Sequence, residues 1–191
     1  MNLIATPFPT HGTDAPSEWV RRWSHLVPPG AGARRGLRRG PPPALVPGTG
    51  HAVTGIDRDP LAVQAAAEVG EAIAADIEHG PWPLAGRSFG AVVVTNYLWR
   101  PLLPTIVDSV APGGVLLYET FACGNETVGR PARPDFLLRP GELLSACTPL
   151  RVVAYEDGFL DGPARFVQRI TAVRVAEDGL SPARHPLRAL S

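Results

Sequence analysis

The sequence predicts an α/β fold with a doubly wound, mostly parallel sheet and a C-terminal antiparallel hairpin. Three observations predict it. Short apolar runs at 51–56, 72–77, 89–95 and 115–120 alternate with helical stretches at 60–69 and 101–110, the rhythm of strands joined by crossover helices. Two of these runs close on an acid, Asp57 and Asp76. The last two runs, 151–156 and 164–175, are separated only by 157–163, too short a link for a parallel crossover, so they must pair antiparallel. The architecture is Rossmann-like, with its first strand missing or distorted, as the segment 31–50 shows below.

The 191 residues and 45% hydrophobic content suit one domain spanning 1–191, with a polar, Pro-rich arm at 1–16 and a frayed tail at 176–191. A net charge of zero gives no electrostatic reason to expect a nucleic acid or an anionic membrane as partner, which leaves a small molecule as the partner expected. Cys123 and Cys147 form no CxxC and no Cys/His cluster, so no metal is expected. With no signal-peptide pattern at the N-terminus, the reducing cytoplasm is favoured. Apolar runs such as Ala91, Val92, Val93 and Val94 are far shorter than the ~20 residues that cross a bilayer. Oligomeric state leaves no trace in the sequence.

Taken in order, Trp19, Trp23 and Leu26 recur at helical spacing and predict a helix over 16–27, ended by Pro28, Pro29 and Gly30. From 31 to 50, Arg34, Arg35, Arg38 and Arg39 lead into Pro41, Pro42 and Pro43 with almost no apolar period, and the stretch reads as a loop. The run 51–56 is a strand closing on Asp57, and Asp59 can cap the Ala-rich helix 60–69. The run 72–77 is a second strand, closing on Asp76 before the Pro81-Trp82-Pro83 loop. The continuous apolar run 89–95 belongs to a strand covered on both faces, hence to the middle of the sheet. After the helix 101–110, Ala111-Pro112-Gly113-Gly114 turns the chain into the strand 115–120, and a further helix begins near Pro140 and Glu142.

An open α/β sheet binds its ligand beyond the carboxyl ends of its strands. Asp57, with Arg58 beside it, stands where an acid accepts hydrogen bonds from the ribose hydroxyls of an adenosine ligand; an ordinary helix N-terminal acid would look the same. Asp76 and Ile77 match a pair that reads adenine, the carboxylate taking the exocyclic amine and the apolar side chain covering the ring. A solvent-exposed loop acid is the plainer alternative.

The stretches HAVTGIDRDP, AADIEHGPWPL, FGAVVVTNYLWRPLLP, APGGVLLYETF and FLLRPGELL, in that order, resemble small bacterial class I S-adenosylmethionine-dependent methyltransferases, the group that includes tellurite-resistance and ubiquinone-pathway methyltransferases. With the closing hairpin, the likeness runs over most of 19–175. It implies S-adenosylmethionine as cofactor and a small-molecule methyl acceptor. It also implies that Asn96, Tyr97 and Leu98 border the methyl group, where an aromatic ring can lie near the sulfonium cation; Tyr97 and Trp99 packing under the next helix is the plainer alternative. Glu119, Phe121, Arg130 and Arg139, which close or follow the last parallel strand, would line the acceptor side with Trp99; arginines that are merely solvated are the plainer alternative. No catalytic base is named.

The resemblance demands, just before HAVTGID, an apolar strand ending in an acid and then a Gly-x-Gly turn entering a helix, whose amides meet the cofactor's carboxylate. Here that stretch is GAGARRGLRRGPPPALVPGTG. Read one nucleotide on, the first and third bases of every new codon are fixed and the middle base is free, and codons 30–50 can spell GRVLDVACGxGRHxRWFxARG. Strand, acid, Gly-x-Gly and helix all occur and run directly into His51. The reading predicts two compensating insertions or deletions, in the gene or in its sequencing; coincidence in a gene rich in G and C, all of whose 18 basic residues are arginine, is the alternative. The chain as written is then expected to fold poorly and bind cofactor weakly. Two rivals stand beside methyl transfer: a degenerate, non-catalytic protein of the same fold, and an NAD(P)-dependent oxidoreductase.

Overall fold

The computed structural model describes residues 17–28, 54–67, 71–176 and 184–187. The expectations for 1–16, for 30–50, for the first residues of the strand at 51 and for most of the tail lie outside them.

The first helix, α1 (Glu18–Trp23), starts where Ser17 accepts a hydrogen bond from the Val20 amide through its hydroxyl, and it runs on as a 3-10 turn at Ser24–Leu26. Its buried stripe is Trp19, Val20 and Trp23. The strand-acid-helix unit follows as β1 (Thr54–Asp57) and α2 (Pro60–Ala67). Next, β2 (Glu71–Ala74) pairs parallel with β1, Ile56 opposite Ile73 and Asp57 opposite Ala74. β2 ends before Asp76, three residues short of the expected end at 77, because the Asp76 carboxylate accepts the Glu78 and His79 amides and closes a turn.

The long apolar run forms β3 (Phe89–Thr95) with the expected bounds. A 3-10 turn at Arg100–Leu102 leads into α3 (Leu103–Asp108), a shorter helix than its pattern suggested. β4 (Val110–Phe121) pairs parallel with β3, and the expected turn at Ala111-Pro112-Gly113-Gly114 lies inside it. There Gly113, at φ 74°, donates to the Arg174 carbonyl, and Arg174 donates back to Gly114, so the four residues bulge without leaving the sheet. After α4 (Glu142–Ala146), β5 (Arg151–Asp161) and β6 (Ala164–Val173) form the predicted antiparallel hairpin. It is longer than expected, and the connection shrinks to Gly162 and Pro163.

The strand orders are β1-β2 in one sheet and β3-β4-β6-β5 in another. β3, expected in the middle of a sheet, therefore stands at the end of the larger one among the described residues. The two sheets nevertheless share one hydrophobic core: Ile56 and Ile77 belong to the same buried cluster as Val92, Val94, Leu116 and Ile106. Among the described residues no helix is long and apolar enough to cross a membrane.

Candidate functional site

The carboxyl ends of β1, β2 and β3 assemble one edge. At the end of β1, Asp57 is completely buried. Its Oδ1 accepts from the Asp59 amide at 2.8 Å, while Oδ2 is buried with no hydrogen-bond partner. Burial, aided by the Asp59 charge and opposed by the amides of Asp59 and Arg58, pushes its carboxyl up to about 6. The neighbouring strand end is latched to it, the Ala75 amide donating to the Asp57 carbonyl at 3.0 Å. Arg58 is exposed.

Asp76 lies on this edge, exposed to solvent. Oδ1 accepts from the amides of Glu78 and His79, and Oδ2 lies 3.0 Å from His79 Nδ1. The histidine bond, with the Glu78 amide next in weight, holds the Asp76 carboxyl below its usual range. Ile77 is buried. The His79 ring in turn rests against Trp99, centroids 6.3 Å apart, so the loop after β2 meets the loop after β3. His79 was not singled out in the sequence; its signal was its place three residues after Asp76, within reach of the same turn.

Asn96 leaves β3 with φ 55°, a left-handed conformation that asparagine tolerates better than most residues, and its amide donates to the Glu119 carbonyl at 2.9 Å. Tyr97 and Leu98 are both buried, and the Tyr97 carbonyl accepts from the Tyr118 hydroxyl at 2.8 Å. The backbone of this turn is therefore fixed from beneath. Asp57, Asp76, Ile77, His79, Trp99 and Asn96 to Leu98 thus stand on three successive strand ends.

The other expected residues are placed elsewhere. Glu119, 2% exposed, lies 3.5 Å from both Arg165 and Arg169 and accepts from the Ser17 hydroxyl at 3.2 Å. Arg169 also pairs with Glu156, which holds Arg22 at 3.2 Å, and its guanidinium sits 5.0 Å from the Trp19 ring. This row ties α1 to β4, β5 and β6. Phe121 is buried at the end of β4, its carbonyl accepting from Leu138. Arg139 is exposed, and its backbone binds Glu142 and Gln168. Arg130 is exposed on the loop after Thr127. No group of three or more metal-ligating side chains occurs among the described residues.

Among solved structures, the chain is similar to the glycopeptide N-methyltransferase MtfA complexed with S-adenosyl-L-homocysteine, with TM-score 0.52 and 15% identity over 81% of this chain and 88% of that one. It is also similar to TehB from Haemophilus influenzae, with TM-score 0.51 and 18% identity over 66% of this chain. The chain carries the class I methyltransferase fold. It spans about half the length of TehB, 51%. No family model and no curated protein sequence matches it. Open sheets of this class bind ligands beyond the carboxyl ends of their strands, at the topological switch point, and the residues described above close or follow the carboxyl ends of β1, β2 and β3.

Proposed function

We propose that the chain binds S-adenosylmethionine across this edge and transfers its methyl group to a small-molecule acceptor. The observation that carries the reading is the buried, partnerless Oδ2 of Asp57. A buried carboxylate oxygen without a donor costs about 1–3 kcal/mol or more, and the hydroxyls of a ribose laid against the strand end are donors of the right kind. The cofactor supplies a methyl group on a sulfonium, already activated for transfer. The chain's own part is to hold and to align. Asp57, with Arg58 beside it, takes the ribose; Ile77 backs the adenine ring, and Asp76 accepts its amine when His79 gives way. Asn96, Tyr97 and Leu98, fixed by the Tyr118 hydroxyl, border the methyl. Trp99, against His79 on the same edge, lies on the acceptor side, and a transfer that rests on alignment and exclusion of water requires no side-chain nucleophile.

An NAD(P)-dependent oxidoreductase is disfavoured because the sheet continues beyond β4 with β6, antiparallel to it, and then β5, antiparallel to β6, where a dinucleotide fold continues with parallel strands of a second mononucleotide-binding half. Thermal-shift titration with S-adenosylhomocysteine and, separately, with NAD tests the reading. The homocysteine compound is expected to raise the melting temperature and NAD to leave it unchanged; stabilisation by NAD alone would overturn it.

A further inference from the structure

The described sheet is in two pieces, and the division falls between strands that are both interior by burial. Every residue of β1 is buried, and β3 is buried at Phe89 and from Ala91 to Val94. A parallel strand covered on both faces lies inside a sheet, with a neighbour on each side. Among the described residues β1 is joined by β2 alone and β3 by β4 alone, although Ile56 and Val92 share one core. In a doubly wound sheet of order 3-2-1-4-5, the strand between the second and the fourth is the first in the sequence. Laid on that order, β2-β1 and β3-β4 are the two flanks of the first strand, whose owner precedes Thr54.

The literal residues suit it badly. Four arginines and three consecutive prolines, Arg34, Arg35, Arg38, Arg39 and Pro41 to Pro43, can neither fill an apolar position nor donate a full ladder of hydrogen bonds. We infer that this strand position belongs to the product of codons 30–50 read one nucleotide on. That product offers the apolar segment RVLDVA, whose aspartate at position 34 would close its strand beside Asp57, and then Gly-x-Gly at 38–40. The requirement is sharp at the level of bases. A pair of CGN arginines at 34 and 35 yields an aspartate codon only if the third base of the Arg34 codon is A. Likewise the shifted cysteine, histidine and tryptophan require G as third base for Leu37, A for Pro42 and G for Leu45. These four bases are what the assignment requires of the gene, and an A ending the Arg34 and Pro42 codons is the demand that a gene rich in G and C would least often meet by chance.

Sequencing fresh genomic DNA across codons 25–55 tests the assignment, whether the shift arose in the gene or in its reading. The expected third bases at codons 34, 37, 42 and 45, read in the literal frame, are A, G, A and G; other bases at these places overturn it. The strand position itself is tested by expressing the literal chain and the chain with codons 30–50 restored. Restoration is expected to raise the melting temperature by roughly 10 °C or more and to increase amide protection in β1 and β3 above all. Equal melting temperatures and equal protection would overturn the assignment. Neither readout depends on methyl transfer, so a restored chain that gains stability yet ignores S-adenosylhomocysteine would count against the function proposed above and not against this strand.

Discussion

Asp57 carries opposite burdens in the free and the ligated protein. Its carboxyl is pushed from 3.8 up to about 6 by burial, so the folded chain holds the proton more tightly than the unfolded chain does. The stability this contributes is complete below pH 3.8 and is lost as pH rises through 6. Asp57→Asn, which keeps the shape and removes the charge, is therefore expected to stabilise the ligand-free chain at pH 7 by on the order of 2 kcal/mol, read from denaturant midpoints. The same change is expected to weaken binding of S-adenosylhomocysteine by about 10- to 100-fold, since a hydrogen bond to a charged group contributes about 1.5–3 kcal/mol. A variant that loses both stability and binding would show that Asp57 is merely structural. Binding that needs the ionised carboxylate should also lose about tenfold in affinity per pH unit below 6, a slope calorimetry can follow. Asp57 was legible because a strand, an acid and a helix follow one another in the chain. The fate of the Asp76 oxygens was not, because they are taken by the amides of Glu78 and His79 and by the His79 ring, and that depends on how one turn closes.

At the scale of elements, the row Ser17, Glu119, Arg169, Glu156 and Arg22 fastens α1 across the larger sheet, helped by the bond from Trp19 Nε1 to the Ile170 carbonyl at 3.1 Å. Removing Glu119 would leave the buried Arg169 with one partner fewer. Glu119→Ala is expected to cost about 3–5 kcal/mol in equilibrium unfolding, and Glu119→Gln less, because it still accepts from Ser17; equal, negligible losses would deny the row any structural weight. Sequence reading set Glu119 near the acceptor because it follows the last parallel strand, and nothing local announced that the first helix would fold over it. The bulge in β4 was partly legible in the same way: glycines marked a change of direction, but not that the chain stays in the sheet. A side chain at Gly114 would approach the Phe89 carbonyl to 2.7 Å and that of Ala111 to 2.8 Å. Gly114→Ala is expected to destabilise by about 1–3 kcal/mol, and an unchanged melting temperature would contradict the close approach. By contrast, β3 was read with its observed ends, since a seven-residue apolar run bounded by polar residues leaves little choice of register.

At the scale of the molecule, the parallel pairs β1-β2 and β3-β4 and the antiparallel β5-β6 hairpin agree with what the alternation of apolar runs predicted, whereas the place of β3 at the end of its described sheet does not. What could not be read was any first strand in the literal 30–50, because arginine and proline there carry neither period nor apolar surface. The central claim is that an adenosine ligand lies across the carboxyl edge with its ribose on Asp57. Its most direct test is titration of S-adenosylhomocysteine at pH 7 into the unaltered chain and into Asp57→Asn, each with codons 30–50 both literal and restored. The account predicts weak binding by the literal chain, strong binding by the restored one, and a loss of about 10- to 100-fold in either background when Asp57 becomes asparagine. Equal affinity with and without the Asp57 charge would contradict it.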